Sequence, residues 1–291
     1  MQIVFGVIGG TWATAASVRV VSQTVFTDEL LLAVAEPEGV VALSHLSRDS
    51  RFSAVHKEAR AFPALPFNAD AEAILRLRPQ LVLFTDFSRA ELVAQVRRAG
   101  VSVMIFDRYS TLEDAFSSLN NLATRLGTGA QKRAGGVIDE SRRRVAALRE
   151  RLQGVKPVRV ISPSTYDVIP GGGTNFQDFC DHAGAENLAK TIGNLSGNVP
   201  APGERVLSWP VDKVVLIADA FAGVVPSNDE IERARRPFLR MTPYRYMRAV
   251  RERRIALLGG WHSCCISHHR VDAYESLARQ LHPNVFTKER R

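Results

Sequence analysis

The chain has 291 residues, enough for two domains or for one with additions. Apolar residues make up 45% and charged residues 23%, ordinary globular values that exclude a disordered tail, a collagen-like fibre and a coiled-coil rod. No apolar run reaches the ~18 residues of a spanning helix, three Cys cannot build a disulfide framework, and a formal charge of +8 makes nucleic acid a partner to weigh.

The first segment allows two readings. Residues 3–10 are apolar and Gly-rich, and Ala13-Thr14-Ala15 has the small-x-small pattern cut by signal peptidase. On that reading residues 1–16 are an export signal, although Met1-Gln2 carries no basic residue. The other reading is a buried first strand turning at Gly9-Gly10, which would suit a cytoplasmic α/β enzyme.

Strand and helix patterns then alternate. Val18–Val21 is β-branched, a helix begins at Asp28–Leu32, and Val40–Leu43 is a second strand. Ala61–Leu65 is extended between prolines. Ala69–Leu77 reads as a helix stopped by Pro79, Leu81–Thr85 as a strand, and Arg89–Ala99 as an amphipathic helix closed by Gly100. Val101–Phe106 is the next strand. The alternation predicts a mainly parallel sheet covered on both faces through residues 17–126.

Residues 127–153 change character. Ala130, Ala134, Val137, Ile138, Ser141, Val145, Leu148 and Leu152 recur at helical steps, with Arg142, Arg143, Arg144, Arg149 and Arg151 on the other faces. About twenty-five helical residues reach about 37 Å, and Gly135-Gly136 is where a bend is expected. From residue 154 to 291 the α/β pattern restarts. Strands are expected at Val158–Ile161, Val214–Ala218 and Ile255–Leu258. Helices are expected at Asn175–Ala183, near Arg205–Trp209, at Met241–Arg251 and at Asp272–Leu281.

Several enzyme signatures are missing. There is no Gly-x-Gly-x-x-Gly after a strand, no Lys-containing phosphate loop and no Gly-x-Ser-x-Gly elbow. Gly171-Gly172-Gly173-Thr174 fits an ordinary N-cap at Thr174 or an anion cradle. Trp261–His269 gathers two Cys and three His in nine residues. Its His262, Cys264, Cys265 and His269 are candidate ligands for a free transition-metal ion. Otherwise this is a ligand-facing loop with Trp261 as a stacking surface, its Cys buried or bridged to Cys180. No nucleic-acid module or basic–aromatic interleaving accompanies the charge.

Four stretches resemble one family, the class III periplasmic binding proteins of ABC importers for ferric siderophores, haem and cobalamin. They are Thr27–Val34, the run Ala71-Glu72-Ala73-Ile74-Leu75-Arg76-Leu77-Arg78-Pro79-Gln80-Leu81-Val82-Leu83, Ala183–Ala189, and Gly203–Leu207 followed by Val214–Leu216. In the second stretch Gln80 stands where the family usually has Asp.

The resemblance implies two α/β lobes with central, mainly parallel sheets joined by one long backbone helix. It implies a periplasmic protein that performs no chemistry, has no intrinsic cofactor and does not span the membrane. Such a protein closes on a metal chelate and delivers it to a permease dimer. Glu72 and Glu204 would dock onto arginine pockets of that permease, although first-turn glutamates are also common helix formers. The ligand would lie at the strands' carboxyl ends, against Phe26, His45, Arg48, Arg51, Phe87, Arg89, Arg108, Tyr109, Tyr166, Trp261 and His262.

Overall fold

A computed structural model describes residues 17–218 and 225–287. The export-signal expectation at residues 1–16 lies outside the described residues. The amino-terminal lobe runs β1 (Val20–Ser22), α1 (Val25–Val34), β2 (Val40–Ala42), α2 (Ala71–Arg76), β3 (Leu81–Thr85), α3 (Ala90–Arg98) and β4 (Ser102–Phe106). Two helices follow, α4 (Leu112–Leu126) and α5 (Thr128–Arg151). The second lobe contains β5 (Val158–Ile161), β6 (Val168–Pro170), α6 (Asn175–Ala183), β7 (Ala185–Asn187), α7 (Leu188–Thr191), β8 (Asn198–Pro200) and β9 (Lys213–Ala218). It closes with α8 (Asn228–Arg235), α9 (Arg248–Arg251), β10 (Ile255–Gly259), α10 (Trp261–Cys264), α11 (Arg270–Leu281) and α12 (Pro283–Phe286).

Each lobe is built on a four-stranded parallel sheet, ordered β2-β1-β3-β4 and β10-β9-β5-β7. β3 and β10 are buried along their whole length, which is why both read as unbroken apolar runs rather than alternating ones. Local chemistry fixes the helix starts. Thr24 and Thr27 cap α1 reciprocally, as Thr111 and Asp114 cap α4. β6 and β8 add a small antiparallel ribbon that the sequence pattern does not announce.

Two expectations are corrected. α5 runs through Gly135-Gly136 without interruption, and the break falls at Gly127, whose φ of 105° stops α4 and starts α5. Met241–Arg251 is not one helix. It forms a 3-10 turn at Tyr244–Tyr246 followed by α9, the two separated at Met247, whose backbone is extended (ψ 126°) and whose side chain is buried.

One apolar cluster crosses the whole molecule. It joins Val20 and Leu81 of the first lobe through Ala134 and Ile138 of α5 to Tyr274 and Leu281 of the second. Ion pairs hold α5 to both lobes. Arg133 pairs with Glu36, its Nε also donating to the Val34 carbonyl at 2.8 Å, and Arg144 reaches Asp272 at 2.5 Å and Glu275 at 2.9 Å on α11.

Candidate functional site: the crevice between the lobes

The parallel strands of both lobes deliver their carboxyl ends to a common crevice, the expected place for a ligand in open α/β sheets. A cavity of about 350 Å³ lies there. Tyr109 and Ser110, just after β4, line one side. Ser162 and Ser164 after β5, Phe176 of α6, Ile217 of β9, Leu258 of β10 and Ser263 line the other. The wall is therefore apolar with a hydroxyl rim. A larger cavity of about 1050 Å³ lies between α4, α5 and α6. It is lined by helix flanks and by no strand end, so the physical case for ligand capture belongs to the smaller one.

The crevice has an aromatic ledge. Phe87, 60% exposed, meets Tyr109 edge-on at 5.9 Å. The Tyr109 hydroxyl donates to Asp86 at 3.1 Å. Burial, and then that carboxylate, hold the phenol above its ordinary pKa, so it stays a neutral donor. Tyr166 follows Ser164 and is 89% exposed. On the first lobe, His45 packs edge-on against the exposed Phe67 at 5.1 Å.

Of the eleven residues expected to meet ligand, Tyr109 alone lines the cavity; Phe87 touches it through Tyr109. The others are placed as follows. Phe26 is a correction: it sits in the core against Phe106 and Tyr109, because the first turn of α1 folds inward. Arg48 is bound to the Ala59 and Phe62 carbonyls, Arg51 to Asp49, Arg89 to the Ala69 carbonyl and Arg108 to Asp114. These cations hold loops and have protein partners.

The 261–269 segment holds the candidate ion ligands. His262, Cys265 and His268 are buried, and burial lowers the pKa of all three imidazoles there, His268 to about 3. Burial raises the Cys265 thiol well above its usual value. Trp261 packs edge-on against His262 and His269. Cys180, Cys264 and Cys265 are all free thiols. Among the described residues no group of three or more His, Cys, Asp or Glu is arranged to hold a metal ion.

A buried hub behind the crevice is not legible in the sequence. Arg270, fully buried on α11, donates to Asp178 at 2.8 Å and, across the lobe junction, to the carbonyls of Tyr109 at 2.7 Å and Ser110 at 3.1 Å. Tyr274 also donates to Asp178, and His182 stacks on Tyr274 at 4.3 Å. One guanidinium thus sets the position of the two first-lobe residues that line the cavity. A second junction lies at Glu29, buried on α1. It accepts from the Ala54 N–H at 2.9 Å and lies beside Ser267 and Cys265 of the other lobe.

Glu72 and Glu204 are both exposed, in the first turn of α2 and of the 3-10 segment Gly203–Ser208. Each precedes the first residue of an interior strand, Leu81 or Lys213, by nine positions. Glu72 makes only a loose contact with Arg76 at 3.8 Å. Thr174 caps α6 by accepting from the Gln177 N–H at 3.2 Å, and Gly171 passes so close to Leu195 that a Cβ would lie 2.2 Å from its carbonyl oxygen. The glycines serve a chain crossing.

A family model described as periplasmic binding protein matches residues 20–260. Comparison with curated proteins finds no match. Among solved structures, the chain is similar to the periplasmic heme-binding protein BhuT in complex with two hemes, with a TM-score of 0.74 and 20% identity over 93% of this chain and 100% of that one. Similar too are the periplasmic heme-binding protein RhuT from Roseiflexus sp. RS-1 (TM-score 0.72, 20% identity, 93% and 100% covered) and a periplasmic heme binding protein from Pseudomonas aeruginosa (0.72, 21%, 92% and 94%). Two parallel-sheet lobes on a single long helix, matched by the family model across both, lead to one conclusion: the chain belongs to the periplasmic binding protein family, in its class III form.

Proposed function

We propose that this protein captures a flat metal chelate, haem in the first instance, between its lobes and delivers it to an ABC permease outside the cytoplasm. The observation that carries the reading is the Phe87–Tyr109 ledge opposite the apolar wall of Ile217, Leu258 and Phe176. Aromatic faces and edges gain from stacking on a flat conjugated ring, and the Ser162 and Ser164 hydroxyls offer hydrogen bonds to its carboxylate rim. The periplasmic haem-binding proteins that share this fold support the same reading. A bare transition-metal ion finds no ligand cluster among the described residues. Exposed Glu72 and Glu204, equally spaced from equivalent strands, would present one carboxylate per lobe to the permease.

The test is titration with haem, followed by the Soret band and by tryptophan quenching. Saturable 1:1 binding is expected, weakened about tenfold or more in Phe87→Ala and Tyr109→Ala, since each removes an aromatic contact surface. Absence of any response to haem, cobalamin or ferric siderophores in folded protein would overturn the reading.

A further inference from the structure

The positive charge of this protein is concentrated in one place. Residues 233–254 contain nine arginines and a single acid, Glu252, for a formal +8 that equals the excess of the entire chain. The segment is firmly built. Phe238, Tyr244, Met247, Ala249 and Val250 are buried, with Phe238 edge-on to Tyr244 at 5.7 Å. Arg235 is turned inward, binding the Val250 carbonyl at 3.0 Å and Glu232 at 2.7 Å.

The outer face is different. Glu252 already serves Arg248 and Arg254, and Glu232 serves Arg253. Arg236, Arg240, Arg245 and Arg251 are exposed, with no carboxylate within ion-pair distance among the described residues. Between them stand two exposed apolar side chains, Tyr246 at 57% and Leu239 at 38%, and the Arg245 guanidinium lies over the Tyr246 ring at 5.0 Å. The segment enters β10 at its amino end, the sheet edge opposite the crevice.

We propose that this face binds the surface of an anionic phospholipid bilayer. Arginines near such a surface each strengthen binding about fivefold, and a tyrosine with a neighbouring aliphatic residue is the combination that settles at headgroup depth. None of these four arginines, nor Leu239 or Tyr246, lines the crevice cavity, which stays free for ligand. The inference rests on charge distribution and does not depend on which ligand the crevice takes.

The experiment is co-sedimentation of the full chain with vesicles of phosphatidylglycerol and phosphatidylcholine, or of phosphatidylcholine alone. Binding to the anionic vesicles only is expected, with loss in about 0.5 M salt as screening shortens the reach of the charges. Replacing Arg236, Arg240, Arg245 and Arg251 together by Gln should weaken it by nearly three orders of magnitude, about fivefold for each. The same number of changes elsewhere (Arg97, Lys132, Arg143 and Arg149 to Gln) should leave most of it. Leu239→Ala with Tyr246→Ala should weaken vesicle binding but not retention on heparin. Equal loss in both arginine sets would overturn the proposal by showing a mere net-charge effect. So would unchanged vesicle binding in the four-arginine variant, or binding to heparin without binding to anionic vesicles.

Discussion

Glu29 gives a test with an unusual sign. Its carboxylate is buried between the lobes with one N–H donor, from Ala54, and the neighbouring Asp28 carboxylate adds repulsion. Burial is the largest cause and lifts its pKa from 4.5 to about 7. The native protein therefore keeps this proton up to about pH 7, whereas the unfolded chain releases it near 4.5. Between those values the native state binds more protons, so stability falls as pH rises. At roughly 1.4 kcal/mol per pH unit, the cost above pH 7 is about 3 kcal/mol. Glu29→Gln removes the charge and keeps the acceptor for Ala54, and its amide can donate to Ser267. The variant is expected to match wild type near pH 4.5 and to exceed it by about 3 kcal/mol at pH 8. Urea unfolding across that range, followed by tryptophan fluorescence, measures both. An unchanged pH slope in Glu29→Gln would refute the reasoning. Asp28, raised from 3.8 to about 7 and held by Ser44, leaves part of the slope in the variant.

Three further outcomes are expected. Asp178→Asn strips the counter-charge from the fully buried Arg270 and should destabilise by about 3 kcal/mol or more, read as a lower urea midpoint. Gly171→Ala forces the Leu195 crossing apart and should cost about 2 kcal/mol or more, read by thermal unfolding. Glu72→Lys combined with Glu204→Lys should leave ligand affinity unchanged and abolish stimulation of the reconstituted importer's ATPase.

Most of the strands and most of the longer helices are legible in the sequence because their physics is local. β3 and β10 are continuous apolar runs and α3 is a one-sided stripe, whereas α4 and α8, which the periodicity does not single out, start at Thr111–Asp114 and Ser227–Glu230 capping boxes. The crevice is legible only as a set of strand ends. Which side chain faces ligand depends on how each loop leaves its strand, so Phe26 turns inward while Ser110 and Ile217 face the cavity. Arg270 is the clearest case. Its partners lie 92, 160 and 161 residues away, and in a basic chain one more arginine after His268-His269 carries no signal. The +8 misleads until it is mapped, since its weight sits in one segment.

The apolar cluster that passes from the first sheet through α5 into the second makes the two lobes one folding unit. Neither half can bury Ala134, Ile138 or Tyr274 without the other. A chain cut inside α5 should yield two insoluble fragments rather than two domains, and the intact protein should melt in a single cooperative transition. In a binding protein of two lobes, the surfaces that face one another across the crevice are then held in register by the same contacts that keep the protein folded.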